Sequence, residues 1–152
     1  MSKKLPPKSV RWLSEDEDRA WRAFRRTMIA VQERTARDLA DVGLSEADYE
    51  VLSTLSEATH HTSTLHAQAA KMAWSRSRLS RHASRMEARG LIERLPDPDD
   101  GRGCLLVLSP DGLRTLREAA PAHVASVRRH FVDRLDPADL AALERIAQRV
   151  ES

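Results

Sequence analysis

Four arginines, Arg78, Arg81, Arg85 and Arg89, recur at steps of three and four residues within Trp74–Arg94, WSRSRLSRHASRMEARGLIER. At about 100° per residue this spacing sets them along one side of a helix over residues 75–89, with Ser77, Ser80 and Ser84 beside them. Leu79, Ala83, Met86 and Gly90 fall on a separate narrow stripe that can pack inward. Ser75 suits the N-cap and Gly90 the C-terminal stop. Between Lys71 and Arg94 seven Lys/Arg stand against two Glu, in a chain whose formal net charge is only +2. The chemistry such a face supports is anion binding. Guanidinium groups pair with phosphates, and an arginine can pair bidentately with a guanine edge. A solvated basic face would carry the same charge, so the neighbouring segments must decide.

Other chemistries find less support. Catalysis needs an activated nucleophile or paired carboxylates in a cleft. Asp97, Asp99 and Asp100 cluster in PDPDDGRG, a turn sequence beside Gly and Arg, poor ground for raised pKa values. No phosphate-cradling glycine loop is present, and no catalytic residue is assigned. The chain has 6 His, but no HExxH or His-x3-His spacing with a carboxylate partner, so no metal site and no cofactor are expected. Its 1 Cys, Cys104, forms no disulfide within the chain. An oxidation-sensing thiol is one reading of it, and a buried, tolerated thiol is the preferred one. Aromatics make up 4%, few for a surface that stacks on RNA bases.

The elements that must position the arginine row can be read around it. Thr64–Met72, TLHAQAAKM, is a short helix with Leu65, Ala69 and Met72 inward, joined through Ala73-Trp74 to the basic helix. That is a helix-turn-helix, whose second helix enters the major groove. Leu91–Leu95 and Cys104–Leu108 read as two strands joined by the polar turn Pro96–Gly103, a hairpin with an arginine at its tip. The fold class expected is mainly α with a small β-hairpin wing: a winged helix-turn-helix flanked by long helices. In the first half of the basic helix Ser75, Arg76, Ser77, Arg78 and Arg81 are best placed for base edges. Arg85 and Arg89, further along, are assigned to phosphate or to intramolecular pairs.

These segments resemble the MarR (multiple antibiotic resistance regulator) family of winged-helix transcription factors. The resemblance is carried by WSRSRLSRHASRMEARGLIER, DPDDGRG and LSPDG, with Met86, Gly90, Leu91, Ile92 and Arg94 at the end of the recognition helix. Asp97, Pro98, Asp100 and Arg102 match the family's wing. Gly101 stands where the family often has an arginine, and Gln68 where it usually has a core leucine. Gly43-Leu44-Ser45 and Asp48-Tyr49 fit as well. The resemblance implies a homodimeric repressor that binds double-stranded DNA at a pseudo-palindromic operator, the first helix and the last two interlocking with a second subunit. It implies that Arg102 reaches the minor groove, oriented by a salt bridge from Asp100. It also implies release by a small aromatic or phenolic effector held between the dimerisation helices and the winged lobe. Trp12, Arg19, Trp21, His60 and His61 are the candidate pocket residues, with core packing the preferred reading of Trp21. A redox- or metal-responsive regulator of the same fold, or an interaction module that binds no DNA, is the alternative.

Length and composition frame the rest. A chain of 152 residues buries one modest core, and one domain is expected over 1–152: residues 12–42 and 111–150 as dimerisation helices, 45–110 as the DNA-binding lobe. No run of 18 apolar residues exists, and Met1–Val10 lacks the apolar core of a signal peptide, so a cytoplasmic location is expected. Met1–Arg11, basic with Pro6-Pro7, reads as an extended arm. Ser14 with Glu17 starts a helix of nearly thirty residues whose stripe is Trp21, Phe24, Met28, Val31, Leu39 and Val42, ending at Gly43. Ser45 caps the next, over 46–57, with Tyr49, Leu52 and Leu55 inward. His60–Ser63 is a link that holds a short first strand. Ser109-Pro110 opens a helix with the stripe Leu113, Leu116, Ala120, Val124, Val127 and Phe131, in which Pro121 should force a kink or break. Asp136-Pro137 opens the last, with Leu140, Leu143, Ile146 and Val150 as its seam.

Overall fold

The computed structural model describes residues 10–152; of the N-terminal arm read from the sequence, residues 1–9 lie outside them. Helix α1 (Glu15–Asp41) begins at a full capping box: the Ser14 side chain accepts from the Glu17 amide, and the Glu17 carboxylate accepts from that of Ser14. The same device, Ser45 with Asp48, opens α2 (Glu46–Glu57). A 3-10 turn at Thr59–His61 leads into β1 (Thr62–Thr64), with His60 and His61 both at positive φ. Then come α3 (Leu65–Met72), α4 (Arg76–Ala88), β2 (Ile92–Asp97), β3 (Asp100–Leu108), α5 (Pro110–His130) and α6 (Pro137–Glu151). Among the described residues no helix is long and apolar enough to cross a membrane.

The sheet is antiparallel in the order β1-β3-β2. The hairpin is longer than the sequence suggested. Pro96 faces Cys104 in the regular register, and the register shift that follows sets Asp100 opposite Asp97, so only Pro98-Asp99 turn. Backbone pairing thus continues into residues whose polar, glycine-rich composition reads as loop. β1 completes the sheet by pairing Thr62–Thr64 with Leu105–Val107.

The core lies within the winged lobe. Val51, Leu52 and Leu55 of α2, Leu79, Ala83 and Met86 of α4, and Leu106 of β3 are fully buried, with Ala69, Ile92 and Leu108 around them. Gly90, expected on the inward stripe of the basic helix, is exposed instead; at φ 76 it ends the helix by taking the left-handed conformation. Ser109 ties this end to the start of α5: its hydroxyl donates to the Gly90 carbonyl at 2.6 Å and accepts from the Gly112 amide at 2.9 Å. A Cβ on Gly112 would stand 2.0 Å from the Leu91 carbonyl oxygen, which explains why LSPDG ends in glycine.

The flanking helices pack differently. In α1 only Thr35 and Leu39 are buried, and α6 has no buried residue. Trp21 is 52% exposed and Phe24 53%, so core packing, the preferred reading of Trp21, is overturned: the first half of α1 extends past the lobe. Pro121 neither breaks nor ends α5, which runs unbroken from Pro110 to His130. The lost amide costs one hydrogen bond, and the contacts of α5 with α1 and α2 hold the helix on both sides of it. Among those contacts Asp38 accepts from the buried Ser126 hydroxyl at 2.6 Å and lies 3.0 Å from His130 Nε2. The Ser126 hydrogen bond, then His130, hold the Asp38 carboxyl below its ordinary range.

Candidate nucleic-acid interface

Helix α3, a left-handed Ala73 (φ 53) and helix α4 form the helix-turn-helix. Ser75 caps α4 by accepting from the Arg78 amide at 3.1 Å. With Leu79, Ala83 and Met86 fully buried, the rotation of α4 about its axis is set by packing, and Arg76, Ser77, Arg78 and Arg81 are left exposed. Among the described residues Arg76, Arg78 and Arg81 make no salt bridge. Arg78 does have an aromatic partner: its Cζ lies 3.7 Å from the centroid of the Trp74 ring.

The arginines nearer the end of α4 are engaged within the protein. Arg85 donates to His82 Nδ1 at 3.2 Å. Arg89 donates to Asp48 Oδ2 at 2.7 Å and to the Gly43 carbonyl at 3.0 Å, the intramolecular pairing that was one of its two readings. Arg94 of β2 reaches back to α4, donating to the Ser80 and Ser84 hydroxyls, while its amide donates to Glu87 at 2.7 Å. Ser80 and Ser84, which sequence placed beside the arginine row, are therefore partners of an internal strut.

Sequence reasoning missed His82. It is buried beneath the arginine row, with Nε2 2.9 Å from Asp48 Oδ1, close but out of line for a good hydrogen bond. Burial first, then the nearby Arg85 and Arg89, outweigh Asp48 and push the His82 pKa below its ordinary 6.5. Burial alone would raise Asp48; the Ser45 amide, Arg89 and His82 together hold its carboxyl below the usual range. A signal was there: His82 lies three residues after Leu79 and four before Met86, on the flank of the apolar stripe. Gln68 is also fully buried, filling its leucine-like place by donating to Met72 Sδ at 3.1 Å, though its Oε1 has no partner.

In the wing, Asp100 does not salt-bridge Arg102. Its carboxylate accepts from the Arg102 backbone amide at 3.0 Å, so it shapes the turn and leaves the guanidinium unpaired among the described residues. A concavity of about 580 Å³ between α3 and the wing is lined by Leu65, His66, Arg76, Arg102 and Cys104, among others. It joins the arginine of the helix to that of the wing across one surface. Cys104 is half-buried against the core.

The five candidate effector residues do not come together around one cavity. Trp12 is 83% exposed, Arg19 pairs with Asp16 on the outside of α1, and Trp21 stacks only on Phe24 at 5.9 Å. His60 and His61 lie at the start of the sheet. The groove that the structure opens between α1, α2 and α5 has a volume of about 320 Å³ and is lined by Gln32, Leu39, Glu46, Tyr49, Glu50 and His123, among others. Its floor is the Tyr49–His123 stack, ring centroids 4.1 Å apart. Burial pushes the His123 pKa down and that of Tyr49 up, so both rings are neutral near pH 7.

Comparison with known proteins agrees with this architecture. The MarR family model matches residues 44–104, and a YjiS-like domain model matches residues 19–48. The Multiple antibiotic resistance protein MarR of Salmonella typhimurium is 31% identical over 72 residues, 47% of this chain, and the match spans only 50% of that protein's length. AbsC, a MarR family transcriptional regulator from Streptomyces coelicolor, is 39% identical with a TM-score of 0.86, covering 93% of this chain and 99% of that one. Sco3205, from the same organism and solved in complex with DNA, is 31% identical with a TM-score of 0.88, covering 93% and 90%. With the recognition helix, the wing and this near full-length likeness in hand, the chain belongs to the MarR family of transcriptional regulators.

Proposed function

We propose that this regulator is a homodimeric, ligand-responsive repressor that binds a pseudo-palindromic operator. One observation carries the DNA-binding part: Arg76, Arg78 and Arg81 stand exposed and, among the described residues, without carboxylate partners on a helix whose other side is locked into the core. Leaving three cations unpaired on a rigid element suits an anionic partner supplied from outside. Ser75, Arg76, Ser77, Arg78 and Arg81 would face base edges and nearby phosphates, and Arg102 would reach the adjacent minor groove. Asp100 would set the backbone that presents Arg102, and Arg85, held by His82, would serve phosphate at most.

The dimer reading rests on apolar surface. Trp21, Phe24, Met28 and Ile29 of α1 and Leu140, Leu143 and Ile146 of α6 are each at least 40% exposed, more than a lone soluble chain leaves in water. A second copy covering these faces would set two recognition helices about one helical turn apart. The effector reading rests on the groove between α1, α2 and α5. Its aromatic floor suits a planar ring, and Glu46 and Glu50 at its wall favour a phenol over an aromatic acid. Trp12, Arg19, Trp21, His60 and His61 would then contribute only if the second subunit brought them to the groove. Footprinting of bound genomic fragments tests the proposal: the expected result is a two-fold symmetric protected site, and protection without symmetry or sequence preference would overturn it.

A further inference from the structure

We propose that Trp74 is a positioning residue for base recognition, holding the Arg78 guanidinium flat on its indole face so that the arginine meets the major groove with its planar fork already set. The inference rests on the DNA-binding reading above and assigns a role to a residue outside the basic row.

The geometry points this way on three counts. The indole is itself fixed. It packs half-buried against the core and meets the His82 ring edge-on at 5.8 Å with an interplanar angle of 79°, while the Trp74 backbone amide donates to the Ala69 carbonyl at 3.0 Å. His82 in turn accepts from Arg85 at 3.2 Å and is buried with its Nε2 2.9 Å from Asp48. The platform under Arg78 is therefore anchored through α4 to α2, rather than being a mobile surface ring.

The second count is what the stack leaves free. A cation–π contact uses the face of the guanidinium and the face of the indole. The N–H donors of arginine lie in the guanidinium plane, at its edge, and that edge makes the bidentate pair with guanine O6 and N7. Stacking on Trp74 therefore does not compete with base reading. It removes rotamer freedom that an unsupported arginine would lose on docking.

The third count is contrast within one helix. Arg85 and Arg89 are turned to protein partners, whereas Arg76 and Arg81 have neither a salt bridge nor an aromatic platform among the described residues. Among the described residues Arg78 alone on this helix is held while its guanidinium N–H donors have no protein partner. A residue held in that way contributes discrimination among sequences more than general affinity.

The test selects binding sites from a pool of randomised duplex DNA with the wild type, Trp74→Leu, Trp74→Phe and Arg78→Ala proteins. The wild type is expected to enrich an inverted repeat containing a guanine whose preference Arg78→Ala erases. Trp74→Leu should weaken binding to that selected duplex about tenfold. It should leave binding to an unrelated duplex, and the slope of log affinity against log salt, at wild-type values, because no phosphate contact is lost. Trp74→Phe, with a weaker π face, should fall between. Arg78→Ala should cost less in the Trp74→Leu background than in the wild type. Wild-type selection and affinity in Trp74→Leu would overturn the proposal, and so would tighter binding, which would mean the stack must break on DNA. If Trp74→Leu loses helical content, Trp74→Phe carries the test: wild-type affinity, with Arg78→Ala equally costly in both backgrounds, overturns it. A wild type that enriches no sequence at all would instead sink the DNA-binding reading beneath it.

Discussion

His82 Nε2 stands 2.9 Å from Asp48 Oδ1, joining the buried side of the recognition helix to the first turn of α2. Arg85 donates to the other ring nitrogen, Nδ1, so the neutral tautomer carries its proton on Nε2, facing the carboxylate. Asp48 does three things at once: it closes the α2 capping box through the Ser45 amide, accepts from Arg89 at 2.7 Å, and faces His82. Asp48→Ala should therefore destabilise the fold by about 2 kcal/mol, below the value for a fully enclosed pair because the Arg89 side chain is 45% exposed. Urea unfolding followed by circular dichroism measures it, and a change under about 0.5 kcal/mol would show that this junction is not a stabilising one.

The pH dependence has a definite sign. His82 and His123 both titrate below their ordinary 6.5 in the folded chain, in each case first because of burial. The unfolded chain binds protons more readily, so stability is full above about 6.5 and falls as pH drops through the folded values. Asp38 and Asp48, held below their ordinary 3.8, add a further loss only in stronger acid. Melting temperatures taken from pH 8 to pH 5 should decline in the wild type and decline less in His82→Gln. A flat profile would mean that neither histidine is desolvated in solution.

The arginines divide into two groups that mutagenesis can separate. Arg78→Ala and Arg81→Ala should each weaken binding to a selected operator by roughly 1–3 kcal/mol while leaving the melting temperature nearly unchanged, the small loss at Arg78 coming from its contact with Trp74. Arg94→Ala should do the reverse first: it removes the strut to Ser80 and Ser84 and lowers the melting temperature by several degrees before any effect on DNA is considered. Equal melting losses in all three would mean that the outward arginines are structural too.

This division shows where the sequence was legible and where it was not. The caps at Ser14, Ser45, Ser75 and Ser109, the inward stripe Leu79-Ala83-Met86 and the helix-turn-helix could all be read, because each depends on local chemistry or on periodicity. The site was legible as a charged face. That Arg76, Arg78 and Arg81 lead that face was legible too; the partners that draw Arg89 and Arg94 inward were not, because Arg89 meets Asp48 across 41 residues of chain and Arg94 meets Ser80 across 14. The candidate pocket residues Trp12 and Trp21 do not line the groove between α1, α2 and α5 for a related reason. Trp12 and Trp21 attract notice by type, but the groove is made where α1, α2 and α5 cross, from Tyr49 and His123, residues far apart in sequence.

The groove makes its own prediction. A simple phenol should raise the melting temperature of the free protein and lower its affinity for operator DNA, since under the proposed function it would bind the folded dimer and favour one of its states. Benzoate should do so less, because Glu46 and Glu50 share the groove with the ligand. Glu50→Gln should narrow that difference in a thermal-shift series. Benzoate outperforming phenol in the wild type would overturn the charge argument, and stabilisation without release of DNA would show that groove and recognition helix are uncoupled.

Dimerisation and operator geometry must fail together if the proposed assembly is right. Helix α6 buries nothing in the single chain, yet Leu140, Leu143, Ile146 and Val150 repeat along one seam, exposed by 43%, 41%, 51% and 79%. Such a helix has little reason to form unless something covers it, since isolated helices of this length are marginal in water. Deleting all residues after Leu135 should yield monomer or aggregate in sedimentation, and should abolish tight operator binding although every outward arginine is retained. The DNA side gives an independent check. Two recognition helices related by a two-fold axis reach half-sites about one turn, ~34 Å, apart on one face of the duplex. Inserting about half a turn between the half-sites rotates one of them to the opposite face, so binding should drop towards the non-specific level, and inserting a full turn should restore only part of it. A truncated protein that stays monomeric and binds the operator at wild-type strength, or an operator indifferent to the half-turn insertion, would mean that each winged lobe acts alone.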